Sequence, residues 1–137
     1  MLLEEKGKIL PPPILNTPSQ IVSETIQSWE NIISATHWDL YDNNRVDGAD
    51  FYVKEKELGH IHLDGEIHLA TDSALSTPLL KKNLAQKFPY AKNWVQYNIK
   101  SEKDVKQAVW LFQLNYKRIC GVSMEQLVKE IDDYSIA

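Results

Sequence analysis

The sequence predicts an α+β domain: a small antiparallel sheet of about four to five strands, connected as a meander, with helices packed on one face. Three observations point there. Apolar residues recur at helical three-and-four spacing toward both ends of the chain, the middle third is rich in β-branched and aromatic residues, and Asp-Gly pairs cut that middle third into short pieces. A length of 137 residues is about one ordinary domain, large enough to bury a core without disulfides.

The chain opens on an extended arm, residues 1–16, before a single domain at 17–137. Pro11, Pro12 and Pro13 favour polyproline II and forbid helix there. A first helix follows, with Thr17 as cap, Pro18 at its first position and Val22, Ile26, Trp29 and Ile33 as its stripe. Strands are expected near 38–41, 49–54, 57–63 and 66–70, with turns at Asp47-Gly48 and Asp64-Gly65. Thr77-Pro78 repeats the cap-plus-proline start, and Leu80, Leu84 and Phe88 give a short helix that stops before Pro89. Residues 93–99, NWVQYNI, alternate as a last strand.

Ser101 and Asp104 resemble a capping box, with Asp in place of Glu or Gln, opening the strongest helix, 102–119. Val105, Ala108, Val109, Phe112, Tyr116 and Ile119 form its stripe, and Trp110, Leu111 and Leu114 widen it. So broad a face suits either deep burial or a second copy in a homodimer. Gly121 ends this helix, and Ser123 caps another with Met124, Leu127, Val128 and Ile131 inward.

Composition excludes several classes. Hydrophobic residues at 43% and charged residues at 25% are ordinary for globular proteins, and the longest apolar run, Ala108 to Phe112, is far short of the ~20 residues of a membrane span. Glu4 and Glu5 stand where an export signal needs positive charge, and the single cysteine, Cys120, fits a reducing compartment, so a cytoplasmic location is expected. A net charge of −4 with scattered lysines leaves no footprint for nucleic acid.

The segment GHIHLDGEIHLA, residues 59–70, holds three of the four histidines. Directly opposed residues of a hairpin point to the same face, so loop length decides which side chains gather. A two-residue loop at Asp64-Gly65 would mix histidine and isoleucine on both faces. A three-residue loop, Leu63-Asp64-Gly65, pairs His62 with Glu66, Ile61 with Ile67 and His60 with His68, and gives Gly65 the positive φ that glycine tolerates. Ile61, Ile67 and Leu69 then face the helices, while His60, His62, Glu66 and His68 share the opposite surface.

Imidazoles and carboxylates so placed could hold a divalent metal such as zinc, iron or manganese, with His60, His62, Glu66 and His68 as the candidate ligands. His60, His62 and Glu66 also read H-x-H-x-x-x-E, which is similar to the first metal motif of cupins, although a cupin needs about eight strands in a jelly roll. The plainer alternative is a solvated hairpin face. Cys120 has no identifiable partner to activate it and is read as structural. Thr77 is better explained as a helix cap than as a nucleophile, and Trp38, Trp94 and Trp110 as core.

ELGHIHLDGEIHL, followed by NWVQYNIKSEKDVKQAVWLFQLNYKR, resembles a family of small, mostly bacterial luciferase-domain proteins. Glu57, Leu58, Gly59, His60, His62, Asp64 and Gly65 carry the first part, and Trp94, Val95, Ser101, Glu102, Asp104, Val105 and Tyr116 the rest; the likeness covers about residues 44–119. Leu63 departs from the small residue expected there. The family's name implies kinship with a fungal light-emitting oxygenase, but kinship of fold transfers no reaction. The resemblance implies an α+β fold and a site around His60, His62 and Asp64.

Two functions follow as expectations. The first is a small-molecule-binding protein, enzyme or not, whose pocket is lined by His60, His62, Glu66 and His68; His60 or His62 would accept a proton or bind the ligand, and Asp64 would fix the turn and through it a histidine tautomer. The second is an oligomeric interaction module in which the wide helix and the proline arm meet a partner.

Overall fold

The computed structural model describes residues 2–134. Among them are the helices α1 (Thr17–Gln27), α2 (Ser73–Lys81), α3 (Val105–Ile119) and α4 (Met124–Asp133), and the strands β1 (Ile32–Trp38), β2 (Val46–Val53), β3 (Lys56–His62), β4 (Glu66–Leu69), β5 (Gln86–Lys87) and β6 (Val95–Asn98). The strands form one open antiparallel sheet in the order β1-β2-β3-β4-β6-β5. The α+β class is as expected, and the sheet has six strands where four or five were expected. A single open sheet is not the closed jelly roll that the cupin reading requires.

The core lies between the sheet and the helices. Ile61, Ile67, Leu69 and Val95 from the strands meet Val22 and Ile26 of α1 and Ala108, Leu111, Phe112 and Leu114 of α3, all fully buried. Phe51 and Phe112 pack edge to face at 5.7 Å. Deep burial within the chain thus accounts for the width of the α3 face. Asn115, also fully buried, donates to the carbonyls of Leu58 (2.9 Å) and Ala70 (3.2 Å), tying α3 to both strands of the central hairpin.

Several boundaries differ from expectation for local reasons. Helix α1 stops at Gln27, because Asn31 takes a positive φ of 65° and Ile32 and Ile33 enter β1 against Val53 and Tyr52. The strand expected at 38–41 therefore lies earlier, at 32–38. Asp47-Gly48 is inside β2, not at a turn; the reversal from β1 to β2 lies at residues 39–45, closed by Asp39 N–H donating to Arg45 O at 2.9 Å. Helix α2 starts four residues before Thr77: Asp72 accepts from the Leu75 N–H at 2.9 Å, leaving Pro78 inside the helix. Residues 86–87, expected at the helix end, form β5.

The arm runs beside β1. Thr36 N–H donates to Leu10 O at 2.9 Å, Thr36 Oγ1 to Pro11 O at 2.7 Å, and Trp38 Nε1 to Lys8 O at 2.9 Å. These contacts cover the free edge of β1 with a segment that has few donors of its own, which blocks further strand pairing.

Candidate functional site

The β3–β4 hairpin has the odd loop. His60 pairs with His68 and Ile61 with Ile67, and Gly65, at φ 92°, donates its N–H to His62 O at 3.0 Å. Strand β2 lies on the other side of β3, and β1 beyond it, in a register that sets His37 against Gly48 and Gly48 against His62. Gly48 has no side chain to separate the two flanking imidazoles, whose centroids lie 5.0 Å apart. All four histidines converge: His37 stacks on His60 at 4.0 Å, and His60 and His62 lie 4.9 and 4.6 Å from His68.

Carboxylates hold the rings from behind. Asp50 Oδ1 is 2.8 Å from His37 Nδ1, Asp47 Oδ2 is 2.8 Å from His62 Nδ1, and Glu66 Oε1 is 2.8 Å from His68 Nε2. A carboxylate accepts, so each of those ring nitrogens donates, and the opposite nitrogen of each neutral ring carries a lone pair. His62 Nε2 and His68 Nδ1 are therefore lone pairs facing each other at 3.1 Å. His60 Nε2 lies 2.9 Å from the same His68 Nδ1. One nitrogen from each of His37, His60 and His62 falls within 4.8 Å of the others, close enough for the three to bind a metal ion.

His60 and His68 are buried, not solvated: His37 stacks on His60 at 4.0 Å and Phe88 lies 4.0 Å from His68. Burial above all, with repulsion from His37, His62 and His68, holds the His60 pKa well below the ordinary imidazole value. Burial lowers His68 as well, opposed by its bond to Glu66. Lys6, from the short 3-10 turn Leu3–Lys6, pairs with Glu57 and lies 3.6 Å from Asp50 Oδ1. Its burial works against the charge, and the two carboxylates outweigh it, leaving the ammonium pKa raised.

The lowered imidazoles carry a pH consequence. The unfolded chain binds protons at His60 and His68 below about pH 6.5, while the folded chain resists them. Their contribution to stability is present above that pH and is lost as pH falls toward the folded values. Metal-free protein should therefore show a falling urea midpoint from pH 7 to pH 5, with Asp50, Lys6 and the four facing rings all in place; a midpoint that is flat or rises in that window would contradict the burial of these rings.

A cavity of about 610 Å³ opens above the imidazoles. Trp38, Leu40, Tyr41, Phe88 and Tyr90 wall it, and His37, His60, His62 and His68 with Glu66 and Gln96 form its floor. Leu40, Tyr41 and Tyr90 are 86%, 94% and 88% exposed, so the rim is apolar and open to solvent. None of the three tryptophans read as core is fully buried: Trp38 walls the cavity, Trp94 lies 6.2 Å from His60, and Trp110 stacks on Tyr134 at 3.8 Å. Cys120 is exposed at the end of α3.

Of the residues singled out in the sequence, His60, His62, His68 and Glu66 come together here. Asp64 stands apart, exposed, its Oδ1 accepting from Glu66 N–H at 2.9 Å within the turn. The carboxylates that orient rings are Asp47, Asp50 and Glu66. His37, Asp47 and Asp50 were not singled out as site residues; the available signal was a histidine just ahead of the strand expected near 38–41 and two aspartates at i and i+3 ahead of the hairpin, which only the β1–β2–β3 register connects.

Among the described residues, no helix is long and apolar enough to cross a membrane. Comparison with curated proteins and with solved structures gives no match. Residues 55–115, which carry β3, β4, α2, β5, β6 and most of α3, match the family model described as Luciferase domain, and over that span, which includes His60, His62 and His68 but not His37, Asp47 or Asp50, the chain is similar to that family.

Proposed function

We propose that this protein binds a small molecule at a divalent transition-metal centre held by imidazoles. His37, His60, His62 and His68 supply the nitrogens, and the cavity above supplies the open side where a ligand reaches the ion. The supporting observation is the pair of lone pairs, His62 Nε2 and His68 Nδ1, turned toward each other at 3.1 Å by their carboxylates. Such a contact is repulsive unless a proton or a cation lies between the rings.

The spacing suits an ion. Two nitrogens each bonded to one metal at about 2.1 Å stand about 3.0 to 3.4 Å apart, octahedral to tetrahedral, near the 2.9 and 3.1 Å that separate His60 Nε2 and His62 Nε2 from His68 Nδ1. Each of three rings backed by a carboxylate is the arrangement that orients imidazole ligands and raises their basicity. An all-nitrogen donor set favours zinc, iron, copper or nickel over magnesium or calcium. Glu66, bonded to His68 Nε2, acts here as an orienting group and not as a ligand.

Loading tests this directly. Protein stripped with chelator, incubated with Co(II) or Zn(II) and desalted should retain one ion per chain, with a raised melting temperature, since a ligand bound only by the folded state stabilises it. Azide should then perturb the visible spectrum of the Co(II) form, reporting an open coordination position facing the cavity. Retention of no ion would overturn the metal centre; an ion whose spectrum ignores azide would overturn the ligand-binding part.

A further inference from the structure

We propose that Lys6 is a positioning residue of the imidazole centre: it holds Asp50 where that one carboxylate can orient both His37 and His60. The inference rests on the metal reading above. Asp50 lies in the middle of β2, wholly buried, and its Oδ1 faces three groups, His37 Nδ1 at 2.8 Å, Lys6 Nζ at 3.6 Å and His60 Nδ1 at 3.8 Å. Its other oxygen, Oδ2, is buried without a hydrogen-bond partner, and so is His60 Nδ1.

Those two unpaired atoms belong to neighbouring residues, directly opposed across β2 and β3. An ion on His60 Nε2 takes the lone pair there and leaves the proton on Nδ1, which a small ring shift brings to Asp50. The carboxylate then backs two ligands, as Asp47 backs His62. The bond from His37 to Oδ1 sets one direction only, and the charge of Lys6, 3.6 Å from the same oxygen, sets a second.

Lys6 can do so because its own place is set independently of Asp50. Its ammonium is paired with Glu57 and lies over the Tyr52 ring at 5.2 Å from the centroid. Asp50 settles against a cation already anchored, and a buried carboxylate requires such a counter-charge to keep its geometry. Lys6 comes from the N-terminal arm, 44 residues away in sequence, so the arm is a working part of the site as well as the cover of β1.

Co(II) titrations of wild type, Lys6→Met and Lys6→Arg separate this role from a general loss of stability. Lys6→Met keeps the length of the stem and removes the charge; it should weaken Co(II) binding by roughly 10- to 100-fold, the usual effect of losing an outer-shell partner, and shift the visible band. Lys6→Arg should restore both wild-type affinity and band. Wild-type affinity and band in Lys6→Met would overturn the proposal, as would Lys6→Arg failing as completely as Lys6→Met. Failure of the wild type itself to take up Co(II) would instead overturn the metal centre, so the two failures are distinct.

Discussion

Replacing His62 by alanine should raise the apparent dissociation constant for Co(II) or Zn(II) by about 100-fold or more, a loss of about 2.7 kcal/mol of binding free energy. His62 is the most direct probe of the centre because its side chain is the most exposed of the hairpin imidazoles, 20% against 9% for His60 and 10% for His68. Removing it abolishes the lone-pair contact with His68 while leaving the buried His60–His68 pair intact. The metal-free variant should melt within a few degrees of wild type, since trimming a partly exposed side chain typically costs under ~1 kcal/mol. Titration of the stripped proteins, with thermal melts as the control for folding, checks both numbers. An unchanged dissociation constant would exclude His62 as a ligand and remove the main support for the site.

Gly48→Ala should destabilise the fold by about 4 kcal/mol, through a different mechanism. Gly48 has a φ of 155°, which side chains rarely adopt, and a Cβ there would stand 2.0 Å from Ile61 O and 2.9 Å from His62 Cα. Both obstacles are backbone atoms of the neighbouring strand and cannot rotate away. Backbone strain of about 1–3 kcal/mol adds to an overpacking cost of similar size. Because Gly48 stands between His37 and His62 in the sheet, relief by separating β2 from β3 would also pull two rings of the centre apart. Urea unfolding checks the stability, and metal content per chain checks the site. A wild-type urea midpoint would mean that the close approach of β2 to β3 does not constrain this position.

The two variants divide the dependence of the site. His62→Ala removes a donor and leaves the scaffold, whereas Gly48→Ala keeps every donor and disturbs the scaffold that sets their spacing. Loss of metal in the first with retained stability, and loss of both in the second, is the pattern expected of a centre built on strands whose rings have little room to adjust.

Local chemistry made the hairpin legible in the sequence. A period of two and a glycine able to take positive φ were enough to deduce the three-residue loop, and with it the pairing of His60 with His68 and the inward set Ile61, Ile67 and Leu69. The helix expected at 102–119 was legible for the same kind of reason, an apolar stripe repeated over four turns with Gly121 at its end, although its first residues, Glu102–Asp104, form a 3-10 turn and the α-helix begins at Val105. Where two local signals competed, the sequence could not choose. Asp72 and Thr77 are both competent caps, and burial of Leu75 and Leu79 against the core selects the earlier start. Ile33 continues the helical spacing of α1, but pairing with Tyr52 draws it into β1.

What the sequence determined by itself was therefore the α+β class, the main helix and the odd turn that gathers three imidazoles, because each depends on residues within a few positions of one another. Only the tertiary structure decided that His37, Asp47, Asp50 and Lys6 join them and that two of the hairpin imidazoles, His60 and His68, are buried. Those residues meet through strand register across β1, β2 and β3 and through an arm laid along the sheet edge. Register and docking are set by burial summed over the whole sheet, and no short stretch of chain encodes that sum.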